Sequence, residues 1–403
     1  MNSSSPPSAS GADLRVAMIG TSFMGRAHSQ AWRTAPRFFE LPMRPVMAVV
    51  AGTDPTRTSA AAATLGWEES AIGWQDVIGR DDIDLVDICT PGNSHAEIAI
   101  AALDHGKHVL CEKPMANSVA EAEAMAAAAR KAAANGVFAQ VGFTYRRVPA
   151  VQLARQLVAE GRIGRIRTIR CAYQQDWLAD PASPMSWRLE KDKAGSGALG
   201  DIGAHAVDLA QFVTGEALAG VAGLMETFVD ERPLPASLSA LGGVAGEGTG
   251  KVTVDDAVVF LSRTVTGALA TFEATRFAWG RKNALRMEVY GEKGSLTFDF
   301  EDMNVLNFFD AADPARTAGF RRIVVTEPDH PFIAAWWPAG HGLGYEHAFT
   351  HQVVDLVGDL AAQRQPTPSF DDGLAVQRVL DAVERSSAAG GAWIDLPTTS
   401  TTH

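Results

Sequence analysis

An acid and a base stand four residues apart in the run Gly200-Asp201-Ile202-Gly203-Ala204-His205-Ala206-Val207-Asp208. The pattern predicts a helix from Asp201 to Val213, with Asp201 and His205 on one face and Ile202, Ala206, Leu209 and Val213 as the neighbouring apolar stripe. The pair suits proton transfer, because imidazole is the side chain whose pKa lies nearest neutrality. The glycine-rich run from Ala194 to Gly200 can bend to admit a ligand beside them. Spacing alone leaves a plainer reading open, in which Asp201 caps the helix and His205 makes a local hydrogen bond.

A second constellation opens the chain. In Leu14 to His28, LRVAMIGTSFMGRAH, a short apolar strand runs into the turn Gly20-Thr21-Ser22-Phe23-Met24-Gly25 and then into a helix carrying Ala27, Ala31 and Trp32. In a dinucleotide fold the first glycine of such a turn bends the chain, the middle position lets backbone approach a pyrophosphate, and the last packs helix on strand. Here Ser22 takes the middle place, and its Cβ narrows that approach. By itself the motif also fits an ordinary strand-to-helix turn in another doubly wound protein.

The elements that would position these residues alternate through the first half. Val46 to Ala51 is a buried strand ending at Gly52-Thr53-Asp54-Pro55, where Asp54 reads as the cap of a helix from Pro55 to Leu65. A dinucleotide fold usually carries an acid at this strand tip to hold the adenosine ribose. With Gly52-Thr53 there instead and Arg57 close by, the tip leans toward NADP over NAD. Strands Leu85 to Cys89, Lys107 to Cys111 and Val137 to Val141 follow, with helices Ala96 to Leu103 and Ser118 to Ala134 between them. Such alternation implies a parallel sheet whose ligands bind beyond the carboxyl ends of its strands. Thr90-Pro91-Gly92-Asn93-Ser94-His95 and Glu112-Lys113-Pro114 both sit at such ends.

From Phe143 the rhythm changes. A helix (Ala150 to Glu160), a strand (Arg165 to Tyr173), a Trp- and Pro-rich loop (Gln174 to Gly197) and the Asp201 helix precede a run of strands at Ala257 to Leu261, Ala268 to Arg276, Arg286 to Tyr290 and Ser295 to Phe300. In the second of these, Ala268, Ala270, Phe272 and Ala274 alternate with Leu269, Thr271, Glu273 and Thr275, as in a sheet with unequal faces. Glycines at 242, 243, 246, 248 and 250 read as a flexible insertion, and helices Tyr345 to Ala362 and Asp372 to Ser387 close the chain. The division is therefore a disordered tail (1–12), an α/β Rossmann domain (13–142) and an α+β domain with an open, mainly antiparallel sheet (143–396).

Composition narrows the function. The 403 residues carry a net charge of -12 with no basic patch, which argues against nucleic acid or an anionic membrane as partner. The N-terminal MNSSSPPSASGAD lacks the basic and apolar regions of a signal peptide, and no apolar run reaches membrane-spanning length, so the cytoplasm is expected. Cys89, Cys111 and Cys171 are too few and scattered for a disulfide framework, show no zinc spacing, and read as buried thiols; no metal is expected.

Taken together, GTSFMGRAH, TPGNSHAE, EKPMA and GDIGAHAVD resemble, in order and spacing, the Gfo/Idh/MocA family of sugar and cyclitol oxidoreductases. YQQDWLADPASPMSWR, GSGALGDIGAH and GLGYEHAF are most similar to its levoglucosan and inositol dehydrogenase branch. The resemblance implies a Rossmann domain, an open-faced sheet domain and an active site between them. It implies nicotinamide dinucleotide binding at Gly20, Ser22, Phe23, Met24, Gly25, Thr53, Arg57, Thr90, Pro91, Asn93, His95, Glu112 and Lys113. It also implies a catalytic Lys113, with Asp201 and His205 beside it.

That set suits oxidation of a ring hydroxyl to a ketone. A base must take the hydroxyl proton as hydride leaves carbon, which falls to His205. Lys113 would stabilise the developing alkoxide, and Asp201 would hold a neighbouring hydroxyl. Tyr145, Arg146, Trp177, Trp187 and Arg188 are candidates for the sugar pocket through ring faces and hydroxyl contacts, with His341 and Tyr345 behind them. The expected substrate is a neutral sugar, anhydrosugar or inositol, and the open sheet suggests a homodimer or homotetramer. Two rival readings are a nicotinamide-assisted glycoside hydrolase or lyase, and a non-catalytic nucleotide-sensing regulator.

Overall fold

A computed structural model describes residues 11–238 and 242–397; the first ten positions of the expected tail lie outside the described residues. Among those described, no helix is long and apolar enough to cross a membrane. The first half contains β1 (Asp13–Ile19), β2 (Arg44–Gly52), β3 (Glu69–Ile72), β4 (Leu85–Ile88), β5 (His108–Cys111) and β6 (Ala139–Val141). Its helices are α1 (Phe23–Phe38), α2 (Pro55–Leu65), α3 (Gln75–Ile78), α4 (His95–Asp104) and α5 (Val119–Ala133). The six strands form one parallel sheet in the order β3-β2-β1-β4-β5-β6. Strand order reverses between β1 and β4, so a crevice opens there beyond their carboxyl ends.

Local chemistry starts and stops these helices. Asp54 accepts the Arg57 main-chain N–H at 2.8 Å and caps α2, as its sequence position predicts, and Gly66 ends that helix in the left-handed region. Ser118 caps α5 through the Glu121 N–H at 3.2 Å. The strands are sealed by side chains such as Val16, Met18, Val50 and Leu110, each worth about 1.5–3 kcal/mol when withdrawn from water.

The second half adds α6 (Pro149–Ala159), β7 (Ile166–Gln174), α7 (Lys191–Ala194), α8 (Ala204–Thr214), β8 (Leu218–Glu226), β9 (Glu231–Leu238), β10 (Gly243–Lys251), β11 (Ala257–Thr264) and β12 (Leu269–Thr275). It continues with β13 (Ala284–Gly291), β14 (Gly294–Asp299), β15 (Val305–Asp310), β16 (Arg321–Val324), α9 (Tyr345–Ala361), α10 (Phe370–Ala388) and β17 (Ile394–Asp395). Nine strands form a mixed sheet, β16-β15-β14-β13-β7-β12-β11-β8-β17, antiparallel except where β7 meets β12. Its alternation is the expected one: Ala268, Ala270, Phe272 and Ala274 are buried, while Leu269 and Thr271 face outward. Helices α6, α8 and α10 cover one face, and Leu224, Val259, Leu261 and Leu269 stay exposed on the other.

Two features depart from the sequence reading. The glycines from 242 to 250 do not form a flexible insertion: β10 pairs with β9 in a two-stranded antiparallel ribbon. Backbone hydrogen bonding suffices to make that strand, so no alternation of side chains announces it. The chain also does not stay in its second half. Phe349, Val353, Leu356, Val357 and Leu360 of α9 return to pack with Leu14, Trp32 and Val50 of the first sheet and its helix α1.

Candidate active site

The carboxyl ends of the parallel strands, the loop after β7, the start of α8 and the β9–β10 ribbon enclose one cleft of about 1520 Å³. Its dinucleotide side begins at Gly20, whose φ is +112° and where a Cβ would lie 2.7 Å from the Cys89 carbonyl oxygen. A Cβ at Gly25 would lie 2.2 Å from the Gly20 oxygen, so both ends of the turn require glycine. Ser22 precedes α1 in an extended conformation without using its side chain as a cap, and no acid occupies the helix's first turn. This leaves N–H groups at the α1 N-terminus for an anion. The cradle therefore fits a dinucleotide pyrophosphate despite the serine. Thr53, Arg57, Thr90, Pro91, Phe23, Met24, Glu112 and Lys113 line the same cleft, as do Asp54 and Ser94.

Two expected cofactor residues behave differently. Asn93 is exposed and off the cleft wall; Gly92 and Ser94 line it instead, because the turn before α4 points the Asn93 side chain outward. His95 borders the cleft with both ring nitrogens turned to main-chain carbonyls, Nδ1 3.0 Å from Pro114 and Nε2 2.9 Å from Thr90; burial lowers its pKa, so its single N–H donates to one of the two. It ties the loop after β4 to the loop after β5 and so sets where Lys113 stands.

Lys113, Asp201 and His205 meet at the far end. Asp201 does not cap a helix. It sits in a π-helical turn, Leu199–Gly203, which widens the backbone just ahead of α8. Asp255 anchors this turn by accepting the N–H groups of Gly197 at 2.6 Å and Leu199 at 2.8 Å. The Lys113 ammonium donates to the Asp201 carbonyl oxygen at 2.6 Å and lies 3.5 Å from its Oδ1, while the buried Arg276 places Nη1 3.6 Å from Oδ2. Burial would raise the Asp201 carboxyl, but Lys113, Arg188 and Arg276 hold it below the ordinary range.

The His205 ring stacks on Tyr145 with centroids 4.4 Å apart and meets the edge of Phe143. Burial, and then the charge of Lys113, push its pKa well below that of a free histidine, so it stands neutral and able to accept a proton. Among the described residues neither of its ring nitrogens has a hydrogen-bonding partner. Burial pushes the Tyr145 hydroxyl up to about 12, which keeps it a phenol at working pH.

Trp177, Trp187, Arg188, Tyr145 and Tyr345 all line the cleft that holds Asp201 and His205, the Arg188 guanidinium 4.6 Å above the Trp187 ring; His341 does not line it. Arg146 is a correction. It is buried away from the cleft, its Nε 2.9 Å from Asp208 and its Nη2 3.7 Å from Asp372, and it fastens α8 to α10 instead of gripping a ligand. The sequence alone does not single out Tyr173, Lys282 and Asn283, all on the wall, or Arg276 beside Asp201. Arg276 left a signal, a charge closing the otherwise alternating run of β12. His28, Asp87 and Cys89 come close enough to meet a metal ion, but Asp87 already serves His28 and Trp32, and burial pushes the Cys89 thiol up to about 12.

Comparison with known proteins bears on this geometry. Residues 14–143 match the model of an oxidoreductase family with an NAD-binding Rossmann fold, and residues 151–297 match the GFO/IDH/MocA C-terminal domain. Levoglucosan dehydrogenase of Pseudarthrobacter phenanthrenivorans is 43% identical over 390 residues, 96% of this chain and 98% of its own. The chain belongs to the Gfo/Idh/MocA family. A solved oxidoreductase domain protein from Kribbella flavida is 62% identical, with a TM-score of 0.92 over 96% of this chain and all of its own (100%). A levoglucosan dehydrogenase solved with NADH and levoglucosan is 40% identical, with a TM-score of 0.90 over the same shares, 96% and 100%. The chain is thus an NAD-binding oxidoreductase of that family, and two of these relatives are levoglucosan dehydrogenases.

Proposed function

We propose that the enzyme oxidises one ring hydroxyl of a neutral sugar, anhydrosugar or inositol to the ketone, reversibly, at Lys113, Asp201 and His205. The observation that carries this is an imidazole with no hydrogen-bonding partner among the described residues, in one cleft with an ammonium and a carboxylate 3.5 Å apart. Bound nicotinamide dinucleotide supplies the hydride acceptor. His205 takes the hydroxyl proton, Lys113 lowers the cost of charge on that oxygen, and Asp201 orients the ring through an adjacent hydroxyl. The Lys113 and Arg276 charges lean on Asp201 itself, which supports a neutral substrate over a phosphate ester.

At the tip of β2, Thr53 and the exposed Arg57 support NADP as well as NAD. Self-association as a dimer or tetramer through the outer face of the nine-stranded sheet would cover Leu224, Val259, Leu261 and Leu269. A screen of sugars, levoglucosan and inositols against each cofactor, followed by absorbance of the reduced nicotinamide, tests the reading. Turnover without net cofactor reduction would instead indicate glycoside cleavage.

A further inference from the structure

On the sugar side of the cleft five wall residues form one hydrogen-bonded chain. Trp177 Nε1 lies 2.9 Å from Gln175 Oε1, Gln175 Nε2 2.8 Å from Asn283 Oδ1, Tyr173 Oη 2.6 Å from the same Oδ1, and Tyr145 Oη 2.8 Å from Tyr173 Oη. One end fixes the direction of every bond. An indole N–H can only donate, so Gln175 must turn its oxygen to Trp177 and its NH2 to Asn283. Asn283 must then turn Oδ1 toward Gln175, and that oxygen also receives Tyr173. Tyr173 has one proton and spends it there, so Tyr145 must donate to Tyr173.

The two consequences lie in the cleft. The Nδ2 of Asn283 keeps both protons; its side chain acts as a donor toward the Tyr145 hydroxyl and has no other partner among the described residues beyond the chain above, which leaves one proton for the cleft that Asn283 lines. The Tyr145 oxygen, its proton spent, can only accept. The backbone of Asn283 is held separately, its N–H donating to Glu301 at 3.2 Å, so the side chain is not needed to anchor the start of β13.

We propose that Asn283 is a substrate-binding residue: the Nδ2 proton not turned to Tyr145 donates to an acceptor oxygen of the sugar or cyclitol, while the remaining lone pair of Tyr145 accepts from a hydroxyl. The inference rests on the dehydrogenase reading above and adds to it the polarity of the pocket. A hydroxyl can serve at either point, but a ring or anhydro-bridge oxygen can only accept, so a donor at Asn283 and an acceptor at Tyr145 favour the orientation that sets such an oxygen against Asn283. Trp177 sets that polarity through Gln175, although its own indole N–H is used up and only its ring face remains for a ligand.

Two variants test this. Asn283→Asp preserves the shape and the Oδ1 acceptor for Tyr173 and Gln175 but replaces the donor with a second oxygen. Gln175→Glu leaves Asn283 in place and reverses the chain, since a carboxylate at 175 forces the Asn283 amide to donate to it and turn its oxygen to the cleft. With levoglucosan, whose ring and bridge oxygens can only accept, as the probe at mildly alkaline pH, each variant raises KM by about 10- to 100-fold with a much smaller change in kcat, and NADH binding by fluorescence is unchanged. In Asn283→Asp the KM recovers as pH falls and the new carboxyl gains a proton to donate; the wild-type KM does not follow. If either folded variant keeps KM within about twofold of wild type, the proposal is overturned while the dehydrogenase reading stands. Should Asn283→Asp fail to fold, Gln175→Glu decides. A wild-type enzyme inert toward every sugar and inositol offered overturns the reading and this inference with it.

Discussion

The Lys113 ammonium donates to the main-chain carbonyl of Asp201 at 2.6 Å, joining the loop after β5 in the first sheet to the π turn ahead of α8. Under the proposed function, one cation would both support the reacting oxygen and hold the carboxylate beside it. Lys113→Met is expected to lower kcat by about 10²–10³ while leaving NADH affinity within a few-fold. Steady-state kinetics with fluorescence titration of NADH check both halves; a large loss of NADH binding would place the lysine in cofactor holding alone.

The same substitution has a pH signature. The Lys113 charge disfavours imidazolium at His205, so removing it raises the His205 pKa. In wild type the acid limb of kcat/KM is expected below the ordinary histidine value of 6.5, because burial and Lys113 favour the neutral form of His205. In Lys113→Met the limb moves to higher pH. A pH profile of the residual activity, taken at high enzyme concentration, shows the shift or its absence.

A buried triad reaching the cleft wall at Glu112 ties stability to pH. His28 places Nδ1 2.9 Å from Asp87 and Nε2 3.0 Å from Glu112, whose other oxygen accepts the Lys113 N–H at 3.2 Å. Burial alone would lower the His28 pKa, but Asp87 outweighs it and holds the group well above 6.5. A folded-state pKa raised in this way contributes stability that is fully present below the unfolded value and is lost as pH rises through the folded one. His28→Gln is expected to cost about 3–5 kcal/mol. The gap in melting temperature from wild type should be widest on the acid side of 6.5 and narrow toward alkaline pH; a pH-independent gap would mean the imidazole is uncharged.

At the cofactor's ribose end, Arg57→Ala is expected to reduce kcat/KM for NADP several-fold more than for NAD. Comparing both cofactors in both proteins checks it. A strong NAD preference unchanged by the substitution would show that Arg57 does not face the 2′ position and that Asp54, also on the cleft wall, sets the choice.

If the outer sheet face joins subunits, Leu261→Lys with Val259→Glu should lower the particle mass measured by light scattering while the far-ultraviolet circular dichroism stays native. An unchanged mass would move the interface elsewhere.

Much of the scaffold was legible because it depends on local pattern. Asp54 followed by Pro55 announces α2, the alternation from Ala268 announces β12, and the glycines at 20 and 25 announce a tight turn that the Cys89 carbonyl then makes obligatory. What was not legible depends on partners distant in sequence. Arg146 looked like a ligand grip because Asp208 and Asp372, which take its charge, lie far along the chain. Asn283 looked ordinary because its meaning comes from Trp177 through Gln175. The pairing of Asp201 with His205 was read as an α-helical spacing, whereas a π turn and Asp255 set it.

The central claim is that His205 is the base. The most direct test is kcat of His205→Ala at saturating cofactor, on the best sugar or inositol from the screen. The account predicts a fall of about 10²–10⁴ with NADH binding intact. A near-normal kcat in the folded variant would contradict it.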